Sequence, residues 1–449
     1  GINVQCPPSV AVLGAFSLND SIAHPWFAPA GFSRGALKSV VETQVKLSRR
    51  NLDTLYESDV NEMTRFLIDE YGDSDELSVG HTILTFDIEV EMNSGLPDIE
   101  TASNEITSIA AHDSITGDYF VYVVNKGEKI DKTIKGAKVE SFEHEKDLLS
   151  AFMSKWREIN PTIITGWNID FFDVTYLYNR YKLLFGQQYA NQLSPIGKVN
   201  YNKYRKRYII AGVSALDYIA LYKCYNFTEL PNYRLDTVAT IELGRGKIEY
   251  EGNLDQLFRD DIEKFIEYNL VDVELVVDLD KKLQFIDLAR AICHTGHVFY
   301  EDFLFSSKWL EGAILTFLRR SGRVAPNKPW RKKRNADGSD GEGKFTGAYV
   351  KEPKPGLYKW VYDLDLTSLY PSIIMSINIS PETKIGKLKN YVAEDHMRGK
   401  IDTYSILDDE GNEFPPLPKD KFIKFIEKNK YSVAANGVLY RTDKVGVIP

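Results

Sequence analysis

The sequence predicts an α/β domain between about residues 80 and 290, because apolar runs at strand spacing alternate there with longer stretches at helical spacing. Thr82 to Val90 opens it: from Leu84 on, apolar and polar residues alternate as in a strand with one buried face. Pro161 to Trp167 is a short apolar run ending beside Gly166, which suits a buried strand. Asp170 to Phe185 reads as a helix stopped by Gly186, and Arg259 to Phe285 as a longer helical stretch. Val199 to Val213 reads as a hairpin. A second boundary falls near residues 335–345, where Asn335 to Gly343 is small, polar and carries three glycines. Eight Lys or Arg lie between Arg319 and Arg334, just before it.

Composition excludes several classes. Apolar residues are 43% and charged residues 27% of the 449, which a largely disordered chain would not have. No apolar run approaches the roughly 18 residues of a membrane-spanning helix. Cys6, Cys224 and Cys293 are too few and too scattered for a disulfide framework or a zinc site, so a reducing compartment is expected. No secretory signal pattern opens the chain. A net charge of −9 disfavours coating nucleic acid by bulk charge, but an enzyme acting on nucleic acid concentrates carboxylates at a metal site and bases along a groove.

Asp87 and Glu89 share one strand face, opposite Phe86, Ile88 and Val90. Taken alone, the pair fits the exposed face of an edge strand. Asp173 falls in a first helical turn, where capping alone would explain an acid. Tyr268 and Asp272 are four apart on the long helix, and Asp272 falls on the stripe of Phe265 and Val276. A salt bridge at the helix edge would explain it. Together, four acids with no obvious basic partner imply divalent cations with oxygen ligands. Two metals about 4 Å apart suit in-line phosphoryl displacement.

The three segments resemble the exonuclease motifs of the DnaQ-like 3′–5′ proofreading exonucleases carried by family B DNA polymerases. Val361 to Ile374 resembles that family's first palm motif, and Asn378 to Thr383 is similar to the polymerases of large contractile-tailed phages. The resemblance implies an RNase H-like (DnaQ-like) exonuclease domain with a mixed central sheet, followed by an incomplete α+β polymerase palm. It implies that Asp87, Glu89, Asp272 and, directly or through water, Asp173 hold two divalent cations, Mg²⁺ or Mn²⁺, with Tyr268 orienting the attacking water. Asp365 would be a polymerase metal ligand, Ser368 and Leu369 would approach the nucleotide, and Tyr370 would lie under its sugar. Asn168, Phe172, Gly347 and Ala348 would contact DNA. So would the hairpin, whose Lys203, Arg205, Lys206 and Arg207 interleave with Tyr201, Tyr204 and Tyr208.

The implied domains are an atypical head (1–54), a remnant of an N-terminal domain (55–79), the exonuclease (80–288), a basic connector (289–345) and a partial palm (346–449). Three departures from the family pattern stand out. Phe345-Thr346-Gly347-Ala348 replaces a Tyr-led motif. The fingers and the second palm acid are not found before Pro449. The head, around Pro25 to Leu37, resembles a phage tail sheath segment rather than the family's N-terminal domain. The expected function is the N-terminal part of a replicative DNA polymerase with a proofreading exonuclease. It would act on primer-template DNA in the cytoplasm of an infected bacterium, synthesis needing a C-terminal half. The alternative is a non-enzymatic chimera of sheath-like head and incomplete polymerase.

Overall fold

The computed structural model describes residues 56–92, 95, 97–203, 205–327, 350–408 and 411–449. The sheath-like head, Tyr204, the Asn335 to Gly343 linker, and Gly347 and Ala348 lie outside the described residues. The rest forms two compact units, the first reaching Arg320 and including Val324–Asn327, the second holding Ser321–Arg323 and the C-terminal part.

The first unit is built on seven strands: β1 (Ile83–Val90), β2 (Ile106–Asp113), β3 (Tyr119–Val124), β4 (Asp131–Ile134), β5 (Ala137–Phe142), β6 (Ile163–Gly166) and, after a separate β7 (Val199–Asn202) and β8 (Arg207–Ile210), β9 (Ser214–Asp217). Their order is β4-β5-β3-β2-β1-β6-β9. β1 is antiparallel to β2 and parallel to β6, so the sheet is mixed. β1 is therefore central, which removes the edge-strand reading of Asp87 and Glu89. Both neighbours satisfy its backbone groups, and each of its faces meets a helical layer.

On one face Leu84, Phe86 and Ile88 pack with α2 (Glu145–Ile159) and α3 (Asp173–Phe185), through Leu148, Phe152, Trp156, Tyr176 and Tyr181. On the other, Ala110, Val121 and Val123 meet Phe265, Ile266, Leu270 and Val273 of a long helix. The element preceding β1, α1 (Glu62–Tyr71), is capped by Asn61, whose side chain accepts the N–H groups of Met63 and Thr64.

The expected helices occur with shifted ends. α3 begins at Asp173, three residues later than predicted, because Asn168 adopts a left-handed φ of 69° and 168–172 forms a turn. Gly186 ends it with φ 88°, as expected of a glycine stop. After α4 (Tyr218–Tyr225) and α5 (Leu235–Leu243), the predicted long stretch is α7 (Ile262–Leu283), preceded by α6 (Leu254–Asp260) and followed by α8 (Phe285–Thr295). Asp261 sets the start of α7 by leaving helical geometry to cap Lys264 N–H, and Gln284 its end by turning left-handed at φ 54°. β7 and β8 pair as the predicted hairpin, Val199 opposite Ile210 and Tyr201 opposite Tyr208.

The first unit also holds α9 (Ser306–Arg320); in the second, α10 (Leu369–Ile377) precedes a four-stranded sheet of β10 (Lys384–Leu388), β12 (Ile406–Leu407), β14 (Tyr431–Val433) and β15 (Val438–Arg441) and a two-stranded one of β11 (Thr403–Tyr404) and β13 (Leu417–Pro418). With α11 (Lys419–Asn429) they close a small core of Leu388, Tyr404, Ile406, Phe422 and Leu439. This is an α+β unit. Val361 to Leu366, which open the palm-like segment, pair with no described strand, and Leu364 is 92% exposed. A strand forms only where a neighbour satisfies its backbone groups. No helix among the described residues is long and apolar enough to cross a membrane.

Candidate metal and nucleic-acid site

Period-two alternation in β1 turns Asp87 and Glu89 toward α7, away from the Phe86 and Ile88 side of the sheet. Across the antiparallel pairing, Asp87 lies opposite Ala110 and Glu89 opposite Ser108, two small residues that leave room for α7 to approach. That helix delivers Tyr268, Asn269 and Asp272 along one side at i, i+1 and i+4. Asp87, Glu89 and Asp272 each bring a carboxylate oxygen to within 4.8 Å of the others.

Asp173 stands outside that group. Its Oδ1 accepts the N–H of Ile88 at 3.0 Å, the backbone between the two β1 acids. The structure thus gathers three of the four predicted ligands and ties the fourth to the strand that carries two of them. Asp173 remains near enough that its charge opposes ionisation of Asp87.

The expectation of no basic partner is corrected by Lys247. Its Nζ lies 2.5 Å from Asp272 Oδ2 and 3.2 Å from Tyr268 Oη. Lys247 comes from the loop after α5, held there by its N–H on Asp236 Oδ1 at 2.8 Å. Gly246 permits that approach: a Cβ there would meet Asp236 Oδ1 at 2.2 Å. A loop without periodicity gives no pattern to follow, and the Gly-x-Gly-Lys run at Gly244 was the available signal.

Burial raises every acid of the site. Glu89 is pushed up to about 8, by burial first and then by Asp272. Asp173 rises to about 7. Asp87 is held well above its ordinary value by burial and then by Asp173, Glu89 and Asp272. Burial also raises Asp272, which Lys247 partly offsets. Burial opposes the Lys247 charge, but the Asp272 carboxylate outweighs it and keeps the ammonium protonated.

The donor set fits a divalent cation. Asp272 Oδ1 is buried with no hydrogen-bond partner among the described residues, and hard oxygen ligands in a cluster suit Mg²⁺ or Mn²⁺. A measurable consequence follows for the metal-free chain. Carboxyls with raised native pKa values hold protons that the unfolded chain has released, so stability falls as pH rises from about 4.5 to 8. In EDTA, Tm should be lower at pH 8 than at pH 6. Mn²⁺ should recover it at pH 8, and the Asp87→Asn, Glu89→Gln double variant should flatten the profile. An EDTA profile identical in wild type and double variant would refute the linkage.

The cluster opens into a cavity of about 860 Å³, lined by Asp87, Asp272, Lys247, Tyr268 and the predicted Asn168. It is also lined by residues that sequence reasoning missed: Trp167, Tyr233, Arg234 and Tyr250. Asp217, at the end of β9, accepts the N–H groups of Asn168 at 3.0 Å, Asp170 at 3.3 Å and Ile219 at 3.1 Å. It thereby sets the turn before Asp173, and burial pushes its carboxyl up to about 6. Phe172 stacks on Tyr176, whereas its neighbour Phe171 is exposed.

In the hairpin, Arg205 pairs with Asp302 at 2.7 Å and lies over the Phe305 ring, and Arg207 pairs with Asp170. Both guanidinium groups hold the hairpin to its own domain. Lys203 and Lys206 are exposed, as is Tyr201. In the second unit, Asp365 and Tyr370 are exposed, and Ser368, with a left-handed φ of 55°, immediately precedes α10 at Leu369.

Comparison with known proteins gives two family matches. The family model for the exonuclease domain of DNA polymerase family B matches residues 72–238, and that for DNA polymerase family B matches residues 305–416. The chain is 33% identical over 409 residues to a DNA-directed DNA polymerase of Escherichia phage RB69, covering 83% of this chain and 41% of the relative. It is 32% identical over 391 residues to that of Enterobacteria phage T4, covering 81% and 40%. DNA polymerase 1 of Aeropyrum pernix is 27% identical over 321 residues, covering 67% and 32%. The chain thus spans about two fifths of the length of the phage relatives.

Proposed function

Because the chain belongs to the family B DNA polymerases and carries both an exonuclease domain and part of the polymerase region, we propose that its first unit hydrolyses the 3′-terminal phosphodiester of DNA to proofread replication. The observation that carries this reading is the three-carboxylate cluster with the unpartnered Asp272 Oδ1. Asp87, Glu89 and Asp272 hold two divalent cations, Mg²⁺ or Mn²⁺, with Asp173 contributing directly or through water. When bound, such ions offset the carboxylate charge and supply Lewis acidity at the scissile phosphate. Tyr268 orients the attacking water. Lys247 lies beside Tyr268 and Asp272 on the cavity wall, where its ammonium meets phosphate charge. Trp167, Tyr233 and Tyr250 offer ring faces to unpaired bases, and Arg234 a further cation.

In the second unit, Asp365 contributes to a polymerase metal site and Ser368, Leu369 and Tyr370 to the nucleotide site. Gly347 and Ala348 belong to the template contact. The site of action is the cytoplasm of a phage-infected bacterium, a reading supported by the phage relatives. The test is degradation of single-stranded DNA labelled at either end. Stepwise shortening from the 3′ end in Mg²⁺ or Mn²⁺, abolished by EDTA, is expected. Metal-independent or 5′-directed cleavage would refute the reading.

The hairpin is part of this proposal in a narrowed form. Since Arg205 and Arg207 are engaged with Asp302 and Asp170, Lys203 and Lys206 are the cations left for phosphate. Changing both to Ala should weaken binding several-fold at low salt, with about two fewer counterions released. The loss should be larger on duplex than on single strands, because the primer end must be opened. Equal loss on both would mean simple phosphate binding, without a role in strand separation.

A further inference from the structure

Asn269 is completely buried on α7, one residue after Tyr268 and three before Asp272. Its Nδ2 donates to Asp87 Oδ2 at 2.8 Å, and its Oδ1 accepts from Ser108 Oγ at 2.8 Å. Ser108 is also fully buried and lies opposite Glu89 in the β1–β2 register. An ionised carboxylate only accepts, so the amide must turn its NH₂ toward Asp87. The Ser108 hydroxyl donates to the other end of the amide and rewards that same orientation.

We infer that Ser108 and Asn269 form a fixed relay that positions the Asp87 carboxylate for a divalent cation, committing Oδ2 to the amide and leaving Oδ1 to the metal. This rests on the metal-dependent reading of the site above. Two fully buried polar side chains joined in a line to the half-buried Asp87 have few alternative arrangements, because a broken bond would leave the Asn269 amide or the Ser108 hydroxyl without water or partner. A ligand held in one rotamer gives up little freedom when a cation arrives, and partners of this kind commonly change metal affinity by about 10–100-fold. The relay also couples the two layers that build the site. Ser108 is on the sheet and Asn269 on α7, so the distance between Asp87 and Asp272 depends on the bond between them.

Asn269→Leu keeps the volume and removes the amide. Mn²⁺ binding followed by electron paramagnetic resonance should weaken by about 10–100-fold. Exonuclease activity should recover in part at high Mn²⁺. Ser108→Ala leaves the Asn269 amide but frees its orientation, and a smaller weakening in the same direction is expected. Tyr181→Phe is the comparison, since it removes another buried hydrogen bond, to Leu149 C=O at 2.8 Å, remote from the acids. It should lower Tm and leave Mn²⁺ affinity unchanged. If Asn269→Leu lacks a cooperative melt, Ser108→Ala decides. Mn²⁺ affinity equal to wild type in a folded variant overturns the relay. Wild type that binds Mn²⁺ no better than Asp87→Ala overturns the metal reading itself, and the relay with it.

Discussion

Changing Asp87 and Glu89 together to Ala should lower the rate of metal-dependent shortening of single-stranded DNA by on the order of 10³-fold or more, while Tm in EDTA rises. The rate loss follows from geometry. Two of the three clustered carboxylates come from one strand face, and groups that act as a unit lose nearly the whole effect when the unit is broken. The rise in Tm follows from electrostatics. At pH 8 in the metal-free fold these half-buried acids ionise against burial and against one another, which holds their carboxyls above the ordinary range. Uncharged residues there remove a strain that a cation otherwise relieves. Opposite signs in rate and Tm separate lost chemistry from lost structure, which would move both downward. Asp272→Ala should also abolish activity but with a different Tm, because it strands the Lys247 ammonium beside the cavity. Cleavage within tenfold of wild type in the Asp87→Ala, Glu89→Ala variant would remove the assignment.

How much of this was legible depended on whether a residue's role is encoded by periodicity. Asp87 and Glu89 were readable because a two-residue alternation fixes which face each side chain takes. Tyr268 and Asp272 were readable because four residues return a helix to the same side. The position of β1 inside the sheet was not readable, since strand order comes from β2 and β6 pairing on either side rather than from β1 itself. The long helix was readable too, and only its ends, at Asp261 and Gln284, lie slightly inside those predicted. Neither residue is a strong breaker, and the surrounding apolar spacing continues through both.

Asp173 shows the limit for a side chain with two possible duties. Its place at the start of α3 was readable, but the Ile88 N–H it accepts lies 85 residues away in sequence. The basic hairpin residues show a different limit. Charge and aromatic interleaving suggested phosphate and base contacts for all of them, yet the partners of Arg205 and Arg207, Asp302 and Asp170, stand far off in the chain.

Lys247→Met should lower the exonuclease rate by about 100-fold and at the same time leave Mn²⁺ binding as tight as wild type or tighter. The rate term comes from losing an ammonium at the cavity wall, where negative charge accumulates on the phosphate as it reacts; removal of one such preorganised donor costs about 10²–10³ in rate. The binding term has the other sign. Lys247 engages Asp272 Oδ2 at 2.5 Å, and as a cation it repels any cation that approaches the same carboxylates. With it gone, the cluster is more negative and Asp272 has both oxygens available. The two effects cannot both arise from a collapsed site, which would weaken metal binding along with catalysis. Lys247→Arg keeps the charge on a longer, planar head that does not match the single contacts to Asp272 and Tyr268. It should fall between wild type and Met in rate and stay near wild type in Mn²⁺ affinity. A Lys247→Met rate within twofold of wild type would reduce the lysine to a counter-ion for Asp272. Weaker Mn²⁺ binding in the same variant would instead make it part of the scaffold that holds the cluster together.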